Sequence, residues 1–187
     1  MFPQCKCLTL ALWAGGRVLC LNGVHTLGNE LENPKMAMIA RPDHSQRPLV
    51  VACDFELEAS PSKVYEAWTE KFGLWFADEE TLQTVPEIGR PFFFYTPSAW
   101  GRHPHYGRFL ELKENEVVEM CWLTGDGTQE GTQGAETVLR IELTPKGDGT
   151  SIRLTHSGHV SEKSRSGHAE NWPLALQELD KKLTGTN

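Results

Sequence analysis

Four histidines in this sequence have a spacing that could support chemistry. His103 and His105 form an H-x-H pair, and residues i and i+2 of a strand lie on one face, where two imidazoles could hold a metal ion. Such a site needs a third ligand, which His156 or His168 could supply. Because Pro104 separates the pair within a loop-like segment, we expect histidines at the mouth of a pocket and predict no metal site.

His156 and His168 each have a structural and a functional interpretation. His156 ends an inward-facing run, so it is either a core histidine bonded to the backbone or a polar group at the closed end of a cavity. In the second case it would orient a ligand, together with Tyr106. His168 and Trp172 form an i, i+4 pair if their segment is helical. That pair would either anchor the last helix to a sheet or lie at the entrance of the pocket.

Aromatic residues dominate the stretch FFFYTPSAWGRHPHYGRF, residues 92–109, which contains the H-x-H pair. Large rings usually pack in a core, but they cannot collapse as flexible leucine side chains do, so we expect some of them to line a void. Trp100 lies in a predicted loop and could act as a lid. The predicted pocket lining consists of Trp75, Phe76, Phe92, Phe94, Trp100, His103, His105, Tyr106, Trp122, His156, His168 and Trp172.

Other catalytic arrangements have no support in the sequence. Asp54, Glu56 and Glu58 alternate toward the outer face of a predicted strand, and the acidic residues 78–80 form a solvated cluster. The sequence has neither a G-x-S-x-G nucleophile elbow nor a glycine-rich phosphate loop. We therefore predict no catalytic residue and no cofactor.

Composition and charge limit the classes of partner and the compartment. The 187 residues carry a formal net charge of −7, with lysine and arginine scattered among acids, which argues against a nucleic-acid partner. No apolar run reaches the length of a membrane span. The five cysteines are an odd number, which favours a reduced, cytoplasmic protein with buried thiols over a disulfide scaffold.

The start of the chain differs from the rest. Its apolar stretch Cys7–Ala14 loosely resembles a signal peptide but is short. Met36 and Met38 stand just before the region that we predict to fold. We expect residues 1–45 to be a disordered leader or a misplaced translation start, and residues 46–187 to form one domain; secretion is the alternative.

Periodicity predicts the elements that position the candidate residues. The run 49–57 alternates as a half-buried strand, and Ser60-Pro61 begins a helical segment that Gly73 divides into two short helices. Further strands are predicted at 92–96, 105–112, 116–124, 136–144 and 150–156, with a weak one within 81–85 and a flexible loop between 125 and 134.

A long C-terminal helix is predicted from the stripe of Trp172, Leu176, Leu179 and Leu183. We expect Asn171 to cap it and residues 161–170 to form a separate turn or short helix, because Pro173 suits only a first turn. This helix is the element available to cover one face of the antiparallel sheet. A sheet that curls around one helix leaves a cavity suited to an apolar ligand.

Eight short motifs in this order resemble one superfamily. They are FELEASPSKVYEAWTE (55–70), LWF (74–76), IGRPFFF (88–94), YGRFLEL (106–112), VVEMCW (117–122), ETVLRIELTP (136–145), GTSIRLTHSG (149–158) and HAENW (168–172). Together they resemble the START-like helix-grip superfamily, also called SRPBCC. Within it they are similar to the AHSA-like branch, named after the homologue of the activator of the heat-shock protein 90 ATPase.

The resemblance implies a fold more firmly than a function. It implies an α+β helix-grip domain, in which a curved antiparallel sheet of six to seven strands wraps around the C-terminal helix. It carries over no catalytic residue, because the family shares none. We predict that the cavity binds a small hydrophobic or aromatic molecule. The alternatives are a polyketide cyclase or hydrolase, and a stress-response protein that contacts a chaperone; the chain would be a monomer or homodimer.

Overall fold

Alternating apolar and polar residues build one antiparallel sheet in the described part of the chain. A computed structural model describes residues 40–125 and 134–185. Its six strands lie in the order β1-β6-β5-β4-β3-β2. Strands β2 to β6 therefore pair in chain order as a meander, and β1 pairs with β6 as the edge strand opposite β2. Their bounds are β1 Leu49–Leu57, β2 Pro91–Tyr95, β3 Pro104–Lys113, β4 Val117–Thr124, β5 Thr137–Lys146 and β6 Gly149–His159.

The segment between β1 and β2 contains two short helices, as predicted. Helix α1, Pro61–Thr69, begins after Ser60 and is followed by a 3₁₀ helix at Phe72–Leu74. The break falls before Phe72, so Gly73 lies inside the second helix and does not separate the two. The weak strand expected within 81–85 is only a bridge between Gln83 and Phe93.

Helix α2, Glu162–Thr184, is longer than predicted. Its N-cap is Ser161, whose side chain accepts a hydrogen bond from the backbone N–H of Ser164 at 3.1 Å, and Asn171 lies well inside the helix. The expectation of a separate element at 161–170 is therefore wrong. Pro173 stays within the helix, although proline removes one backbone donor there.

The hydrophobic core lies between the sheet and the two α-helices. Inward residues of the central strands are buried, as are the α2 residues Trp172, Leu176 and Leu179 that the stripe predicted. Large rings occupy the middle of this core, among them Trp68 and Phe72 of the α1 region. The predicted α+β architecture, a curved sheet that grips the C-terminal helix, is confirmed.

Several expectations concern residues outside the described ranges. The leader up to residue 39, its three cysteines and most of the predicted loop at 125–134 belong to this group. Within the described ranges, Cys53 and Cys121 are free thiols. No helix within residues 40–125 and 134–185 is both long enough and apolar enough to cross a membrane.

Candidate functional site

A cavity of about 750 Å³ lies beside α2, where the helix passes the ends of β3 and β4. Both the sheet side and the helix side supply its walls, which is the position that the helix-grip architecture predicts. Of the predicted pocket residues, the structure brings together Phe76, Trp100, His103, His105, Trp122, His168 and Trp172.

Aromatic rings form the inner wall of this cavity. The ring of Phe76 stacks on Trp172 at 6.1 Å between centroids and meets His105 edge-on at 5.5 Å. Trp122 lies against Trp172 at 5.9 Å. Trp100 meets Phe76 edge-on at 5.9 Å and is 44% exposed, so it stands at the outer edge of the cluster.

The rim is polar and comes mainly from α2. Successive turns of the helix place amide, ammonium and carboxylate groups around the opening, together with one exposed leucine. These residues are Lys163, Asn171, Leu174, Gln177, Glu178 and Lys181. An aromatic interior with a charged rim is a surface on which an apolar molecule with one polar end fits.

Four predicted aromatic residues lie elsewhere. Trp75, Phe92 and Phe94 are nearly fully buried and pack in the core behind the cavity. Phe92 and Phe94 lie on the inward face of β2, and Trp75 follows the 3₁₀ helix. Tyr106 is 38% exposed and lies on the outer face of β3. Its assignment to the pocket is corrected, since adjacent strand residues point to opposite faces and its neighbour His105 points inward.

His105 is a buried residue in the wall of the cavity. Its Nδ1 lies 3.1 Å from the backbone oxygen of His103, and its ring stacks on Phe94 at 5.2 Å. Burial lowers the pKa of His105 to about 3, so the imidazole is neutral at neutral pH. In the described ranges, the group of metal-ligating side chains that lie together does not include His103 or His105.

His156 is bonded to side chains at the inner end of the core. Its Nδ1 accepts a hydrogen bond from the indole Nε1–H of Trp172 at 3.1 Å. Nε2 then carries the proton and donates it to the hydroxyl of Thr137 at 2.8 Å. Burial lowers the pKa of His156 well below its ordinary value. The residue does not line the large cavity, so its predicted place there is corrected: the Trp172 ring, which does line it, lies against His156.

His168 lies between the last helix and the sheet and also borders the cavity. It lines the cavity, and its ring lies 4.6 Å from that of His156 on β6. Its Nδ1 donates to the backbone oxygen of Ser164 at 2.8 Å, so Nε2 keeps its lone pair. Burial lowers the pKa of His168.

His159 is a buried residue that the sequence argument missed. Strict alternation from His156 would turn it outward, yet it is only 1% exposed. Gly158 has a φ of 85°, and the pairing with β1 slips between Leu49 and Val50. Such a bulge adds one residue and reverses the face of those that follow. The glycine within the strand was the available signal.

Comparison with known proteins gives a family match. Residues 58–184 match the model of the family described as Activator of Hsp90 ATPase homolog 1-like protein, AHSA1. No protein with a curated description matches the chain.

Solved structures share the fold at low sequence identity. Protein MLL2253 from Mesorhizobium loti is 20% identical at a TM-score of 0.61, over 74% of this chain and 98% of that chain. The Aha1 dimer from Colwellia psychrerythraea is 22% identical at 0.58, over 74% and 98%. DynU16, from the dynemicin biosynthetic locus, is 16% identical at 0.59, over 76% and 48%. Identities of this size show the helix-grip fold alone.

Proposed function

We propose that this chain, which belongs to the family of Activator of Hsp90 ATPase homolog 1-like proteins, binds a small apolar or aromatic molecule beside α2. The observation that carries the proposal is the cavity of about 750 Å³ with an aromatic interior. Pockets for small molecules commonly enclose about 300–1,000 Å³ and combine apolar walls with a few polar groups.

Ring stacking and apolar burial would supply the affinity. Each square ångström of apolar surface removed from water contributes about 25 cal/mol. Trp100 and Leu174 line the cavity and are 44% and 63% exposed, so they offer such surface, while Trp122 and Trp172 form the buried wall behind them. Polar groups would set the orientation of the ligand. His168 offers Nε2, since its Nδ1 is bonded to Ser164, and Lys181 offers a cation at the rim.

Native mass spectrometry of the protein purified from its own host tests this proposal. We expect a retained small molecule, released on unfolding, whose chemical class defines the ligand. A fluorescent apolar dye provides the second measurement, because it should bind the cavity and be displaced by that molecule. A protein that retains no molecule and binds no dye would contradict the proposal.

A reaction in the same cavity is the second candidate function. His168 lines the cavity with one ring nitrogen not used by Ser164, and a neutral imidazole can accept a proton from a bound substrate. DynU16, which shares the fold, comes from a biosynthetic locus. A cyclase or hydrolase acting on a polyketide-like substrate would fit this position. Turnover of the retained molecule, lost in His168→Gln, would support a reaction over binding alone.

Partner, assembly and location are further parts of the proposal. The family name refers to a chaperone ATPase, and the relative from Colwellia psychrerythraea is a dimer. A chaperone contact is tested by pull-down with the purified chaperone, and a homodimer by light scattering. The free thiols of Cys53 and Cys121 support a reducing, cytoplasmic location, which cell fractionation tests.

A further inference from the structure

Three imidazoles from two elements meet behind the ligand cavity. His156 and His159 belong to β6, and His168 belongs to α2. Their ring centroids lie 4.4, 4.6 and 4.8 Å apart, and one ring nitrogen from each lies within 4.8 Å of the others. We propose that these three histidines bind a divalent transition-metal ion of the zinc type.

Ser164 contacts Nδ1 of two of the three histidines. Its backbone oxygen accepts the Nδ1–H of His168 at 2.8 Å, and its hydroxyl lies 3.3 Å from Nδ1 of His159. His168 therefore keeps the lone pair on Nε2, and His159 does so when its Nδ1–H donates to the Ser164 hydroxyl. Metal-binding histidines are usually held in this way, with the second ring nitrogen bonded to a carbonyl or other oxygen.

His159 gives an independent indication of a ligand site. Its Nε2 is buried and has no hydrogen-bond partner, while the residue as a whole is 1% exposed. A buried polar atom without a partner is rare in folded proteins. A metal ion would satisfy this lone pair, which no described side chain does.

His156 can join the other two through Nδ1. Nε2–H of His156 would keep its hydrogen bond to the Thr137 hydroxyl. Each of the three metal-binding imidazoles would then have an oxygen partner for its second ring nitrogen. The indole of Trp172 would give up its hydrogen bond to Nδ1. Zinc–nitrogen bonds of about 2.0–2.1 Å require ligand nitrogens closer together than in this cluster, so the rings must draw together on binding.

Access also fits a metal ion. A small cavity of about 10 Å³ lies against Ser164, His168 and Thr137, and Ser164 and His168 also line the large cavity. Three imidazoles leave a fourth position for water or a bound ligand.

Cobalt titration tests the site directly, because four-coordinate Co²⁺ absorbs visible light. The full chain is used with Cys5, Cys7 and Cys20 replaced by serine in every variant, so that these thiols do not compete. After treatment with a chelator, we expect one cobalt ion per chain, displaced by zinc. Because loss of a supporting group alone weakens metal affinity by about 10–100-fold, His159→Gln and His168→Gln should each weaken it by about 100-fold or more.

His103→Gln is the matched control, since His103 lines the large cavity but lies outside the cluster. It should bind cobalt as the parent does. Circular dichroism checks that each variant folds, and His159→Asn replaces His159→Gln if that variant does not. Absence of cobalt absorption in the parent would overturn the proposal, as would binding that survives both His159→Gln and His168→Gln. In the metal-bound protein Nε2 of His168 is a metal ligand and does not contact the apolar molecule, whose binding the dye measures separately.

Discussion

The indole N–H of Trp172 donates a hydrogen bond to Nδ1 of His156 at 3.1 Å, inside the core. This bond joins the C-terminal helix to β6 and fixes the tautomer of the imidazole, whose Nε2–H then points to Thr137. Trp172 also forms part of the cavity wall. One side chain therefore connects the packing of the helix, the protonation of the histidine and the shape of the pocket.

Trp172→Phe should destabilise the metal-free protein. The variant leaves Nδ1 of His156 buried without a donor, which costs about 1–3 kcal/mol. Urea unfolding should therefore show a lower free energy of unfolding by at least that amount. Trp100→Phe is the control, because Trp100 is 44% exposed and exposed substitutions usually change stability by less than about 0.5 kcal/mol. Equal stability of the two variants would contradict the role of the bond.

Acid should destabilise the fold through its buried histidines. The pKa of His105 is about 3 when folded, against an ordinary value of 6.5. Between these values the unfolded chain binds a proton that the folded chain does not, so stability is lost as the pH falls below 6.5. The loss approaches about 1.4 kcal/mol per pH unit for one such group.

His105→Gln isolates this contribution, because glutamine does not titrate. Urea unfolding at about pH 7 and about pH 5 should show a smaller loss of stability in the variant, by about 2 kcal/mol. The remaining loss comes from the other buried histidines, His156, His159 and His168, whose pKa values are also lowered by burial. An unchanged loss would mean that His105 is protonated in the folded protein.

The strand pattern and the C-terminal stripe were predictable because most elements bury one face; β4, whose first six residues are all buried, is an exception. Alternation of apolar residues therefore marked the strands, and the spacing of Trp172, Leu176 and Leu179 marked the helix. The start of α2 was not predictable in this way. Pro173 suggested a first turn, while the true cap at Ser161 lies beyond polar residues that show no apolar period.

The sequence pattern indicates which side of the sheet a residue faces, but not whether that residue borders the cavity or lies in the core. Phe94 and His105 were both assigned to the pocket lining and both are buried, yet periodicity does not tell which inward ring lies in the core and which borders a cavity. Tyr106 was assigned to the pocket although its neighbour already occupied the inner face. His159 escaped notice because the bulge at Gly158 reverses the alternation.

The stability of the protein should depend on the ion pair between the buried carboxylate of Glu119 and Arg140. This guanidinium contacts Glu119 at 2.6 Å and Glu111 at 2.8 Å, while Glu119 is 1% exposed. Arg140→Leu removes one of the two guanidinium partners of this buried carboxylate and leaves Arg41, whose Nη1 lies 2.5 Å from Oε1 of Glu119. The expected cost is therefore about 2 kcal/mol, below the cost of a fully unpaired buried charge, which is about 3–5 kcal/mol. Arg153→Leu is the control, because its pair with Asp54 is exposed and such pairs contribute about 0–1 kcal/mol.

A double variant separates pairing from packing at this position. Glu119→Leu combined with Arg140→Leu removes both charges, so it should recover much of the stability lost in Arg140→Leu, as apolar replacements of buried pairs often do. Thermal and urea unfolding measure all four proteins of the cycle. If the double variant is less stable than Arg140→Leu, the buried charge is not the cause of the loss.

The domain boundary predicted at residue 46 can be tested by truncation. Residues 40–45 make contacts with the sheet: Ala40 accepts a hydrogen bond from Arg108 at 3.0 Å, and Arg41 pairs with Glu111 at 3.1 Å. A chain that begins at residue 46 should therefore be less stable than one that begins at residue 40, by about 1–2 kcal/mol for the lost bonds. Equal unfolding curves would support the boundary at 46.

Trp100→Ala should weaken binding of an apolar dye to the cavity. The indole stands at the outer edge of the aromatic wall, where it meets Phe76 at 5.9 Å, so its removal exposes one side of a bound ring to water. We expect the dissociation constant to rise by about tenfold, which corresponds to about 1.4 kcal/mol. Fluorescence titration measures it, with Tyr106→Ala as control, because that ring lies on the outer face of β3. Equal weakening by both substitutions would show that the dye binds outside the cavity.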